Sequence, residues 1–116
     1  MARSHPSSHR TFDQLVELIC LIKNHATERR DHTLLGDADR IDALLRILVM
    51  NKLLRQRTVD RLMELVRCIK DEATETADDE LSGMANQADA LVGRLLAELN
   101  MEARADTRYS RGRVAS

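Results

Sequence analysis

From Leu62 to Leu99 the chain carries apolar residues in steps of three and four: Leu62, Val66, Ile69, Ala73, Ala77, Leu81, Met84, Ala88, Leu91, Leu95 and Leu99. Successive residues of a helix are turned by about 100°, so these positions stay within an arc of roughly 120° for the whole distance. The phase is kept across Ser82-Gly83, where a turn would reset it. The spacing therefore predicts one long amphipathic helix from Val59 to Leu99, capped by Thr58 and bent at most at Gly83. Such a helix would measure about 60 Å, against ~35 Å across a compact domain of this length.

Two shorter helices precede it. Thr11-Phe12-Asp13-Gln14 has the pattern of a capping box, which opens a helix over about residues 12 to 30. Phe12, Leu15, Val16, Leu18, Ile19, Cys20, Ile22 and Ala26 share its broad apolar face, and only Leu21 points away. "DHTLLGD" reads as a loop, with Gly36 as the permissive residue and Asp37 as the next cap. The second helix runs from Ala38 to Arg55 and carries two seams. Ile41, Leu44, Leu45 and Leu48 form one; Ala43, Ile47, Met50 and Leu54 form the other. A helix with two apolar seams has to be covered on two sides.

The expected architecture is all-α: two shorter helices plus one long C-terminal helix, in a single domain over residues 11–102. Residues 1–10 read as a disordered polar tail and residues 103–116 as a disordered basic one. Only Phe12 and Tyr109 are aromatic, so the core has to be built from aliphatic side chains packed helix on helix. The short helices can cover about half of the long one. The remaining stripe calls for a second subunit, which makes Leu81, Met84, Leu91, Leu95 and Leu99 the expected homodimer interface. The acidic stretch Asp71–Glu80 would form a slim waist between two packed ends.

Nothing in the chain has the form of a catalytic motif, and no cofactor is implied. His25, Glu28 and His32 have tolerable spacing for a metal, but no fourth ligand accompanies them and Arg29 and Arg30 crowd the place; a solvated polar face is the preferred reading. Cys20 and Cys68 lie in apolar helical runs and read as buried, reduced thiols of a cytoplasmic protein. No apolar run approaches the ~18 residues of a membrane span. The net charge of −1 argues against a surface given over to nucleic acid. Thr58-Val59-Asp60-Arg61, with Lys52, Arg55 and Arg57 nearby, has some likeness to the start of a recognition helix. The carboxylate block that follows would repel a duplex, so DNA binding is kept as an alternative.

Protein recognition remains, with Ile47, Met50 and Leu54 as the expected partner seam and Arg46 and Arg57 beside it. "TFDQLVELICLIKNHATE" and "DADRIDALLRILVMNKLLRQRTVDRLMELV" resemble the small bacterial helical antiactivators of LuxR-type quorum-sensing regulators. That resemblance implies a non-enzymatic protein that occupies the ligand-binding domain of a transcriptional regulator, obstructs its dimerisation and keeps it off DNA. A helical secretion chaperone or assembly subunit would share the same dimeric helices.

Overall fold

The computed structural model describes residues 7–51 and 55–115. They form four helices: α1 (Ser7–Glu28), α2 (His32–Asn51), α3 (Gln56–Glu75) and α4 (Asp79–Ala115). Each helix packs on two others, in the pairs α1–α2, α2–α3, α3–α4 and α4–α1, so the chain closes into a four-helix bundle. No strand occurs among the described residues.

The single long helix expected from the apolar stripe is two helices. Helix α3 ends at Glu75, and Ala77 takes a left-handed backbone conformation at φ 53°. The amide of Asp78 then bonds the carbonyl of Ala73 (2.9 Å), and that of Ala77 bonds the carbonyl of Thr74 (3.2 Å), which together make a Schellman ending. Asp78 at once begins α4, its Oδ1 accepting from the amide of Leu81 at 3.1 Å. The stripe reads as unbroken because Ala77 and Leu81 follow Ala73 in steps of four, although the chain reverses between them. Ala77, expected to face inward, is exposed in the turn, and the acidic stretch spans the end of α3, this turn and the start of α4 rather than a waist.

The first turn is built the same way. Arg30 has φ 56°, the amide of Asp31 bonds the carbonyl of Ala26 (2.9 Å), and that of Arg30 bonds Thr27 (3.1 Å). Asp31 caps α2 by accepting from the amide of Leu34 at 3.0 Å. Asp31, not Asp37, is thus the cap, and "HTLLGD" belongs to the helix rather than to a loop. Helix α1 opens at Ser7, four residues before the expected capping box. Thr11 instead sends its hydroxyl to Glu98 Oε1 on α4 (2.6 Å), and Ser8 bonds Glu102 (3.0 Å). Helix α3 starts two residues before Thr58, with Arg55 at its N-cap. Residues 7–10 belong to α1, and α4 runs to Ala115.

The two turns coincide because the two hairpins are one pattern used twice. Shifting the sequence by 47 places lays Ala26-Thr27-Glu28 on Ala73-Thr74-Glu75, Asp31 on Asp78, Leu34 on Leu81 and Gly36 on Gly83. About half of residues 10–48 recur identically in this register. Every buried apolar residue of the first hairpin has a buried apolar counterpart. Leu15, Leu18, Ile19, Ile22 and Ala26 answer to Leu62, Leu65, Val66, Ile69 and Ala73; Leu34, Ala38, Ile41, Leu45 and Leu48 answer to Leu81, Ala85, Ala88, Val92 and Leu95. Lys23 pairs with Asp42 (3.8 Å) and Asp39 (2.8 Å), and Lys70 with Asp89 (2.6 Å), the counterpart of Asp42. The helix contacts are unchanged when α1 is exchanged with α3 and α2 with α4, so the bundle has an approximate two-fold axis along its length.

This arrangement removes the reason for a covering subunit. Leu81, Leu95 and Leu99, expected at a homodimer interface, lie in the chain's own core, while Met84 and Leu91 are half-buried against it. Helices α1 and α3 supply the cover that α4 requires. Cys20 and Cys68 are exposed rather than buried. Each of α1 and α3 packs on two neighbours only, so its buried arc is narrower than the apolar arc of the sequence.

Candidate functional site

Helix α2 separates its two seams as sharply as a bundle position allows. Ile41, Leu45 and Leu48 are buried, and Leu44 packs on the core from its edge. On the outer side Ala43 is exposed, Ile47 is 48% exposed and Met50 is 80% exposed. Arg46 is exposed but tied along its own helix to Asp42, with Nε 3.2 Å from Oδ2. Arg57 is exposed in the first turn of α3, which packs beside α2. Leu54, the remaining residue of the expected seam, lies outside the described residues, as does Lys52.

The repeat tests whether the bundle itself needs apolar side chains on this face. The counterparts of Ile47 and Met50 are Arg94 and Ala97, and that of Arg46 is Gly93. Arg94 occupies the equivalent place on α4, has a side chain 62% exposed, and pairs with Glu98 at 3.3 Å. The same position of the same fold is therefore satisfied by a charged residue. The second half of the repeat thus carries no large apolar side chain at either place, with Arg94 for Ile47 and Ala97 for Met50. Their combination of exposure and size is what a contact surface uses.

A second group of side chains meets at the opposite end, where both turns lie around the axis. His25, buried near the end of α1, places Nε2 2.7 Å from Oδ2 of Asp78 and Nδ1 3.7 Å from Glu80. Arg29 Nε also approaches Asp78, at 3.4 Å. The hydrogen bond from His25, followed by the Leu81 amide and the nearby charges of His25 and Arg29, holds Asp78 below the usual carboxylate range, against the burial that opposes it. The repeat maps His25 onto Glu72 and Asp78 onto Asp31, and the reciprocal contact is made: Glu72 hydrogen-bonds Asp31. Burial first, and then Asp31, push Glu72 up to about 7, while the bond from Glu72 keeps Asp31 below its ordinary value. One proton shared on the Glu72 side accounts for both directions.

The spacing of His25, Glu28 and His32 does not become a metal site. His25 is committed to Asp78, and Glu28 and His32 lie on either side of the turn, both exposed. Among the described residues no group of three His, Cys, Asp or Glu side chains is placed to hold a metal ion. Near the other end, Arg61 of the basic cluster spends its guanidinium on Glu64 (2.6 Å). Sequence reasoning overlooked the His25–Asp78 and Glu72–Asp31 contacts entirely. The signal that would have found them is the repeated "ATE" followed three places later by Asp.

No helix among the described residues is long and apolar enough to cross a membrane. Compared with protein-family models, with curated proteins and with solved structures, the chain matches none.

Proposed function

We propose that this bundle acts by binding another protein through the outer face of α2, with Ile47 and Met50 as the contact residues and Arg57 at the margin. The observation that carries the reading is the difference between the halves. An exposed aliphatic pair stands where the equivalent helix tolerates Arg94 and Ala97. Exposed apolar side chains at a position that does not need them are a cost in solubility, and contact with a partner is what offsets it. Methionine suits this use, because its unbranched side chain adapts to the shape it meets.

The resemblance of α1 through α3 to antiactivators directs the choice of partner. The finer proposal is that the face occupies the ligand-binding domain of a LuxR-type transcriptional regulator and competes with that domain's own dimer surface. The test is calorimetric titration of the purified chain into such a domain, beside the variants Ile47→Glu and Met50→Glu. Binding weakened more than tenfold by either variant, at unchanged helix content, supports the surface. Unaltered binding by the double variant removes it. A gel shift in which the chain alone retards DNA, with a steep dependence on salt, would favour the nucleic-acid alternative instead.

A further inference from the structure

We propose that the end of the bundle carrying both turns is a proton-operated joint: Glu72 and Asp31, facing each other between the hairpins, hold that end closed while they share a proton and part it when both are ionised.

The geometry follows from the two-fold arrangement. The hairpins touch at this end through two reciprocal contacts, each between a residue of the last helical turns and the aspartate that caps a helix of the other hairpin. On one side the contact is His25 with Asp78, at 2.7 Å, a pair that attracts when the ring is protonated and hydrogen-bonds when it is neutral. On the other side it is Glu72 with Asp31, which attract only through a proton. The two halves of one fold thus hold the same joint by opposite chemistries. An open cleft of about 510 Å³ lies between the turns, with Asp31, Glu72 and Asp78 among its walls. Water can therefore reach the pair as it separates.

The groups around this contact do not neutralise it. From α1 comes His25, and from the turn after it Arg29 and Arg30; from α2, His32 and Asp37; from α3, Glu75; from α4 and its cap, Glu80 and Asp78. Arg29 is drawn to Asp78, and Arg40 and Arg61 act on Asp37. His32 favours the ionised form of Asp31. For Glu72 itself, burial, Asp31, Asp37 and Glu75 all act upward, which places its ionisation at about 7. A proton leaves this joint close to neutrality, not in the acid range where an ordinary pair of carboxylates would titrate.

The experiment uses the full chain with Cys20 and Cys68 replaced by Ser. Spin labels go at Thr27→Cys and Thr74→Cys, an exposed and equivalent pair close to the joint on α1 and α3. The inter-label distance is measured at pH 5.5 and 8.5. The expected result is a shift to longer or broader distances at the higher pH, absent in Glu72→Gln. No shift in the parent protein overturns the proposal, and so does an equal shift in Glu72→Gln, which would assign the motion to another group. A second reading needs no labels. Glu72 keeps in the folded state a proton that the unfolded chain has lost, so the folding constant should fall tenfold or more between about pH 4.5 and 7 and stay level above. Asp31→Asn, which keeps the cap, should flatten that slope. An unchanged slope counts against the joint.

Discussion

His25 and Asp78 tie the end of one hairpin to the start of a helix in the other, with Nε2 and Oδ2 2.7 Å apart and each residue only 6% exposed. The same aspartate ends α3, caps α4 and receives Arg29. Replacing its side chain removes three contacts at once, those with His25, with the Leu81 amide and with Arg29, while the backbone amide that ends α3 stays. Asp78→Ala is expected to cost about 2–4 kcal/mol in urea denaturation, combining a lost cap with a buried imidazole left without its partner. Asp78→Asn, which can still cap, should cost less. A loss under 0.5 kcal/mol for the alanine variant would mean the contact is not structural.

Opposite substitutions should stabilise the two kinds of position at which this chain goes against backbone preference. Ala77 carries a side chain in the left-handed region at φ 53°, where glycine has no penalty. Ala77→Gly is expected to gain about 0.5–1 kcal/mol. Gly83 has an ordinary helical backbone, and a Cβ added there would meet nothing within 4 Å. Gly83→Ala should likewise gain roughly 0.5–1 kcal/mol through helix propensity. Thermal unfolding of the two single variants and the double decides both, with the gains expected to add.

The two seams of α2 should separate cleanly by energy. Leu45, fully buried, is expected to lose 2–5 kcal/mol on truncation to Ala. Met50→Glu, on the exposed side, should stay within about 0.5 kcal/mol of the parent. Were Met50→Glu to unfold the protein, the outer seam would be core, and its proposed use in recognition would fail.

Much of this was legible in the residues themselves. The stripe on α2 from Ile41 to Leu48 and that on α4 from Leu81 to Leu99 were readable as apolar helix faces, because three-and-four spacing has few other physical explanations. Turns were the illegible part. At both of them the left-handed position is held by Arg30 or Ala77 rather than Gly, so the usual mark of a helix end is missing. The glycines that suggested breaks, Gly36 and Gly83, lie inside helices with unremarkable backbones. Asp31 and Asp78 were visible as possible caps, but only their recurrence 47 places apart singles them out from other aspartates. The cross-contacts of His25 and Glu72 depend on how hairpins dock, which no local pattern reports.

Substituting the first hairpin's residue into the second gives a direct check on the repeat. Glu72→His would place an imidazole against Asp31, as His25 stands against Asp78. A histidine that gains a carboxylate partner has its folded-state pKa raised, so its contribution is full below the unfolded value of about 6.5. That contribution is lost as pH rises through the folded value. The variant should therefore exceed the parent in stability across pH 5.5 to 7.5, measured by urea titration. A variant weaker than the parent throughout would show that the two joints are not equivalent.

Ser8 and Thr11 hold the start of α1 against Glu102 and Glu98 of α4, which sets that end of α1 at the same end of the bundle as the step from α2 to α3. With alternating helices related by a two-fold, the order α3-α4-α1-α2 encloses the same core as the natural order. Cutting the chain within residues 52–55 and bridging Glu102 to Ser7 would yield a circular permutant with the same four packed helices, α4 being shortened to end at Glu102. In a bundle built this way, the step from α2 to α3 and a bridge from α4 to α1 are interchangeable ways of joining the same two hairpins.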